Sequence, residues 1–286
     1  MTRALDHLVI GSPDLDAAGA LLARLGFVVG GRNRHPWGTA NRIIQFADET
    51  FLELITVAEP AAIPPHAPGL FSFGAFVRDA LARAPGLSML ALKSADARAD
   101  CAAFAAAGIG GFAPFDFARK GIGPDGGEAE LAFSLAFAAD PAMPECGFFT
   151  CQQRRPENFW SKAAQAHPNG ALGLVRVTLV SENPSDQHIF LAALTGNREM
   201  RATSSGIEIA AGAGVIEVTS PEGFAFRYGA AAGPAAPRFA GFEIALAGLE
   251  ALRAAAGAAG IALLPHRDGL TLPPMHLGTA IRFLAV

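Results

Sequence analysis

The sequence predicts an α+β fold: four βαβββ units that pair into two half-open, eight-stranded barrels with helices outside. Three observations predict it. Residues 4–57 read strand, helix, strand, strand, strand. That order recurs three more times and fills the 286 residues. A βαβββ unit cannot bury both faces of its own sheet, so units must pair, and a pair encloses a concave cleft.

The first unit is the clearest. Leu5-Asp6-His7-Leu8-Val9-Ile10 is a strand, and Ser12-Pro13-Asp14-Leu15-Asp16 is a helix start, with a capping residue, Pro in the first turn and acids near the positive end of the helix dipole. Leu15, Ala18, Leu21, Leu22 and Leu25 follow at helical spacing, and Gly26 ends the helix. Residues 27–29, 41–46 and 51–57 are the three remaining strands.

The second unit has a strand at 87–93, a helix at 95–107 and strands at 112–117, 129–137 and 147–151. The third starts at 174–180, has a helix ending near Gly196, and includes a strand at 215–219. The fourth runs from 239–246 through a helix at 249–259 to strands ending at 279–284. Pro- and Gly-rich segments at 58–69, 120–127, 140–145 and 229–237 punctuate the units. The expected halves are 1–155 and 172–286, joined through Pro156-Glu157-Asn158 and His167-Pro168-Asn169-Gly170.

Composition bounds the partners. Net charge is −4 with no basic run, and two Trp and one Tyr make a poor base-stacking platform, so nucleic acid is not an expected partner. No apolar run has the length of a membrane span, and the first residues lack the apolar stretch of a signal peptide. Three cysteines without CxxC spacing argue against a disulfide framework, which makes a reducing cytoplasm the expected compartment. None of them has an adjacent base in sequence, so they read as inert.

Glu53 carries the most chemical information. It interrupts Phe51-Leu52-Glu53-Leu54-Ile55, where an ionised carboxylate costs several kcal/mol unless a metal, a cation or hydrogen bonds compensate it. His7 interrupts the first strand in the same way and shares a face with Leu5 and Val9. If residues 47–50 close a simple hairpin, Ile44 opposes Glu53 and Arg42 lies diagonally on the same face, as an ion-pair partner that needs no metal. The densest polar and aromatic cluster is Arg32-Asn33-Arg34-His35-Pro36-Trp37-Gly38-Thr39-Ala40-Asn41-Arg42. There His35, Asn41 and Arg42 can bind an oxyanion and Trp37 can cover an apolar group, or the loop is a hydrogen-bonded anchor for the hairpin. His167 and Asn169 are either cleft residues or an interdomain turn.

The repeat, with His on the first strand and Glu on the fourth, resembles the vicinal oxygen chelate superfamily, which includes glyoxalase I and extradiol dioxygenases. The segments around His7, His35 to Arg42, Glu53 and His167 to Ala171 resemble its glyoxalase-like domain family. The resemblance implies a metal site with two ligands from each half-barrel. The first pair falls on His7 and Glu53. The second falls on Met89, a poor ligand for a hard metal, and near Gln153, an acceptable oxygen ligand. In the second barrel Val177 falls at the His position and Glu217 at the Glu position, so that half is expected to be structural.

Two functions follow from the resemblance. One is a metal-dependent isomerase, lyase or dioxygenase for a small oxygenated molecule. In it His7, Glu53 and Gln153 hold a divalent Fe, Mn, Ni or Zn ion, a carboxylate serves as base, and His35 and Arg42 orient the substrate. The alternative is a metal-free protein that binds or sequesters a small molecule in a cleft rich in the chain's 21 Phe residues. Four units in one chain make internal pairing sufficient, so a monomer or a homodimer is expected.

Overall fold

The computed structural model describes residues 2–124, 126–233 and 237–286. Met1, Asp125 and residues 234–236 lie outside them, and with them parts of the predicted loops 120–127 and 229–237. Among the described residues sixteen strands form two eight-stranded sheets.

The first sheet comprises β1 (Leu5–Gly11), β2 (Asn33–Arg34), β3 (Thr39–Gln45), β4 (Phe51–Val57), β5 (Gly86–Lys93), β6 (Phe115–Ile122), β7 (Glu128–Ala138) and β8 (Gly147–Gln153). Its order is β2-β3-β4-β1-β5-β8-β7-β6. The second comprises β9 (Ala171–Val180), β10 (Met200–Ala202), β11 (Gly206–Ala211), β12 (Gly214–Thr219), β13 (Arg238–Leu246), β14 (Leu264–His266), β15 (Gly269–Leu272) and β16 (Ala280–Ala285). Its order, β10-β11-β12-β9-β13-β16-β15-β14, repeats that of the first sheet. The helices are α1 (Leu15–Arg24), α2 (Phe73–Arg83), α3 (Ala97–Ala106), α4 (Lys162–Gln165), α5 (His188–Thr195), α6 (Pro221–Tyr228) and α7 (Glu250–Ala259). None is long and apolar enough to cross a membrane.

The strand alternation sorts side chains into two compartments. Leu8, Ile10, Leu52 and Leu54 point away from the first cleft into a core packed under α1 and α3. That core runs on through Leu174, Val177 and Leu179 of β9, so one apolar layer joins both barrels. Val9, Phe51, Ile55, Phe149 and Phe133 point the other way and fill the first cleft.

Several expectations shift. The helix start is capped by Asp14, whose carboxylate accepts from the Asp16 and Ala17 N–H groups, so Ser12 and Pro13 precede the cap. Residues 27–29 are not a strand; the short second strand is β2, further along. Phe27 is instead buried against Phe46 and His167. Two helices, α2 and α6, follow the fourth strands of the first and third units and have no counterpart in the predicted repeat. Helix α2 is capped by Ser72 and buries Phe73, Phe76, Val77 and Ala80 along one face.

Two register details position the site. Leu5 pairs with Leu92 and His7 with Ala91, so Asp6 is the extra residue of a β-bulge. The bulge sends Leu5 to the outer core while His7 and Val9 face the cleft, contrary to the shared face expected for all three. In the β3–β4 hairpin the loop is three residues, closed by the Phe46–Thr50 backbone hydrogen bond, with Glu49 in the left-handed region at φ 60°. Ile43 therefore opposes Glu53, one residue off the simple-hairpin register. Asn41 shares the inner face with Glu53, and Arg42 turns outward.

Candidate functional site

The first barrel encloses a cavity of about 50 Å3. His7 (β1), Glu53 (β4), Asn41 (β3) and His35 and Trp37 from the β2–β3 connection line it, with Phe51, Phe73, Phe117, Phe133, Phe149 and Arg119. His7 and Glu53 face each other there, with Nε2 and Oε2 3.9 Å apart. The other ring nitrogen, Nδ1, contacts the Asp6 carboxylate at 2.5 Å. Nδ1–H therefore donates to Asp6, and the Nε2 lone pair faces the cavity. The ring is stacked on Phe51 at 4.1 Å between centroids, which fixes its plane.

Glu53 is held on one oxygen only. Asn41 Nδ2 donates to Oε1 at 2.6 Å and leaves Oε2 toward His7. Burial pushes the Glu53 carboxyl above its ordinary range, against the opposing pull of His7, Asn41 and Arg119. Asn41 is itself fixed: its Oδ1 accepts from Asn33 Nδ2 at 3.0 Å, and its amide also reaches His35 Nε2 at 3.3 Å. His35 Nδ1 pairs with Thr39 Oγ1 at 2.8 Å. Burial, helped by the charge of Arg119, lowers the His35 pKa to about 3, so the ring is neutral with both nitrogens engaged. His35 stacks on Trp37 at 4.5 Å. Its place is behind Asn41, as a positioning residue.

The loop that carries these rings turns at Gly38. Gly38 has φ 84°, and a Cβ there would lie 2.4 Å from the Glu59 carbonyl oxygen, so only glycine fits. The Gly38 carbonyl in turn accepts from the Ala58 and Glu59 N–H groups.

The other expected site residues lie elsewhere. Arg42 Nη2 bonds Asp16 Oδ1 at 2.7 Å and Nη1 bonds the Gly30 carbonyl at 3.0 Å, both outside the cleft. His167 accepts from Val28 N–H through Nδ1 and donates through Nε2 to the Gln45 carbonyl, between Phe27 and Phe46. Asn169 Nδ2 donates to the Leu25 carbonyl, and its backbone N–H to that of Gly26. These two residues clamp the end of α1 to the interdomain segment. Gln153 sits near the end of β8 opposite Phe133, and its Oε1 is buried without a partner among the described residues.

The caps Asp14 and Asp96 align the first two units and put Met89 at the position of His7. His7 pairs with Phe51 and Met89 with Gly147, so the counterpart of Glu53 is Phe149, not Gln153. Both counterparts are apolar and buried. A third donor comes from an unexpected place. Asp6, His7 and Cys151 each offer a ligand atom within 4.8 Å of the others, so a cysteine that reads as inert in sequence stands beside the histidine. Burial raises the Cys151 thiol well above its ordinary pKa. Arg119 was not singled out in the sequence either, although Phe115, Phe117 and Arg119 alternate on one face of β6.

The second barrel has a different interior. Glu217 is on the expected inner face, but Val177 packs in the outer core and Arg176 takes the position of His7. Arg176 bonds Glu208 at 2.8 Å and Glu243 at 3.1 Å, and lies 3.7 Å from Glu217. Arg227 and Arg282 add further contacts to these carboxylates. Tyr228 from α6 inserts beneath and bonds Thr178 Oγ1 at 2.9 Å. Where the first barrel has a phenylalanine-lined cavity, the second has a polar pocket of about 340 Å3 lined by ion-paired residues, among them Glu208, Glu217, Arg227 and Arg282.

Solved structures of low identity share this fold. A hypothetical protein from Staphylococcus aureus superposes with TM-score 0.68 at 12% identity, over 99% of this chain and 100% of that one. The Mn(II)-bound glyoxalase from Novosphingobium aromaticivorans gives 0.58 at 14%, over 99% and 82%. A 4-hydroxymandelate synthase mutant from Streptomyces coelicolor gives 0.55 at 14%, over 93% and 78%. No curated protein matches the sequence. The architecture is that of the vicinal oxygen chelate superfamily. The glyoxalase-like domain profile matches residues 5–195, well over half of the chain and the whole first barrel, and the chain belongs to that family.

Proposed function

We propose that the first barrel is the active site of a metal-dependent enzyme of the vicinal oxygen chelate type, acting on a small oxygenated molecule. One observation carries this reading: His7 Nε2 and Glu53 Oε2 face each other at 3.9 Å across one cavity, without a hydrogen bond between them. A single ion with bonds of about 2.0–2.2 Å to each atom spans that gap. The donor set also fits, because Asp6 behind Nδ1 is the carboxylate support that metal-binding histidines commonly have. His7 and Glu53 would hold the ion, and the remaining positions would stay open to substrate. A divalent ion bound there supplies Lewis-acid polarisation of substrate oxygens.

The chain's own residues divide the remaining work. Asp6 fixes the His7 tautomer. Asn41 holds Glu53 by one oxygen and leaves the other free. His35 and Thr39 keep Asn41 aimed. The phenylalanines exclude bulk water from the cavity. Glyoxalase and synthase chemistry in the structural neighbours belongs to the same scaffold, which hosts several reactions.

A second reading has its own observation. Met89 and Phe149 put two apolar side chains where the resemblance implies two more ligands. On that reading the cavity binds a small molecule without a metal. Elemental analysis of the purified chain separates the two. About one Mn, Fe, Ni or Zn ion per chain, lost in the His7→Ala/Glu53→Ala double variant, supports the enzyme. A chain that stays metal-free after incubation with each ion rejects it and leaves the binder.

A further inference from the structure

We infer that the first-barrel cavity is built for a small monocarboxylate, whose charged end is taken by Arg119 and the Trp37 indole N–H while its apolar body lies among the phenylalanines. The inference rests on reading this cavity as the ligand site, and it does not require the metal.

Two donors in the cavity wall lack what they need. Arg119 lies on β6, and its hydrogen bonds go only to neutral oxygens, Asn33 Oδ1 at 3.1 Å and the Lys120 carbonyl at 3.4 Å. Both come from Nη1, so most of the guanidinium's five N–H groups are uncommitted. No carboxylate of the described residues is ion-paired with it. A half-buried cation offset only by the charge of Glu53, with no directly paired carboxylate, is unfavourable, and an anionic ligand relieves it. Trp37 is 8% exposed, and its Nε1–H is buried with no acceptor among the described residues. Unmet donors call for an acceptor, and a carboxylate offers two oxygens.

The charge class follows from the arrangement around Glu53. Arg119 and Glu53 feel each other's charge but form no direct hydrogen bond or ion pair; Asn33 and Asn41 link them as a series of hydrogen-bonded amides. A ligand in the cavity therefore meets both a cation and a carboxyl group. One negative charge at Arg119 matches this pattern; a dianion reaching Glu53 opposes it. The walls between are mostly phenyl rings, which select an apolar body. The size class follows from the cavity of about 50 Å3, room for on the order of four water-sized groups.

The test is calorimetric titration of the full chain in chelator, with propionate and butyrate against propionamide and butyramide. The carboxylates are expected to bind about tenfold or more tighter than their amides, as charge-assisted bonds to arginine imply. Arg119→Gln is expected to bring each acid down to the affinity of its amide, and the retained amide binding reports an intact cavity. Arg119→Lys restores part of the preference. Trp37→Phe is expected to weaken the acids several-fold, and the amides less. Equal binding of acid and amide to the unaltered chain overturns the inference, as does a preference that survives Arg119→Gln, or no binding by any probe. A chain that takes up no metal on elemental analysis yet shows the acid preference rejects the metalloenzyme reading and leaves this one standing; a chain that takes up metal but, in chelator, binds no probe does the reverse.

Discussion

Arg176 stands at the position in the second barrel that His7 holds in the first. Val9 pairs with Glu53 across β1 and β4, and Thr178 pairs with Glu217 across β9 and β12. His7 and Arg176 are each two residues before those partners, on the same inner face. One position carries an imidazole facing a cavity in one half and a guanidinium facing three carboxylates in the other. The same scaffold thus builds a polar pair facing an apolar cavity once and an ion network once.

That network makes the first prediction. Arg176→Met leaves Glu208, Glu217 and Glu243 buried with fewer counter-charges. Breaking a buried ion pair by removing one partner costs about 3–5 kcal/mol. Urea unfolding is expected to show a loss of that size, with metal content unchanged.

Asp6 supports His7 from behind, so Asp6→Asn is expected to weaken metal affinity by about 10–100-fold without abolishing it. Competition with a metallochromic chelator measures this. An affinity equal to that of the unaltered chain removes Asp6 from the site.

Glu53 is buried with its carboxyl pKa raised, chiefly by burial. The sign is therefore that of a penalty: as pH rises above the ordinary carboxylate range, the folded chain holds a proton that the unfolded chain releases, and stability falls. In chelator at neutral pH, Glu53→Gln is expected to raise Tm. With Mn(II) or Zn(II) present the unaltered chain gains Tm and the variant does not. Calorimetry with and without the ion checks both signs.

His35 makes the opposite pH prediction. Its pKa is about 3 in the folded chain against 6.5 as the reference for the unfolded chain. Below pH 6.5 the unfolded chain takes up a proton that the folded chain refuses, so stability drops as pH falls through this window. The slope approaches about 1.4 kcal/mol per pH unit, or about 2 kcal/mol by pH 5. His35→Gln is expected to have a stability curve shallower by about that slope between pH 6 and 4, measured by urea unfolding at each pH.

Gly26 ends α1 at φ 85°, and a Cβ there would lie 2.9 Å from Asn169 Cβ. Gly26→Ala is expected to cost about 1–3 kcal/mol through backbone strain and displacement of the Asn169 clamp. Asn169→Ala is expected to be destabilising as well, with ligand binding in the first cavity retained.

Much of this architecture was legible because β-strand alternation is a strong signal. Phe51-Leu52-Glu53-Leu54-Ile55 is β4, and its inner face is the one expected. What failed were features that depend on a single residue of register. The left-handed Glu49 shortens the hairpin loop and exchanges Asn41 for Arg42 beside Glu53. The Asp6 bulge turns one acid toward His7, and neither bulge nor turn is written in polarity alone. Helices α2 and α6 each contain glycine and aromatic residues that blur a helical pattern. Arg119 had a readable signal, since the period of two places it with Phe115 and Phe117 on an apolar face. Cys151 had none: β8 brings it to Asp6 and His7 across the sheet, from far along the chain.

The layer of leucine, isoleucine and phenylalanine that runs unbroken from Leu8 and Leu54 through Leu174 to Phe283 belongs to neither barrel alone. Severing the chain between them would strip both pieces of a wall and leave sticky, insoluble fragments. Heating should accordingly produce one calorimetric peak, the signature of a fused pair that melts together and has given up the modular independence of its repeats.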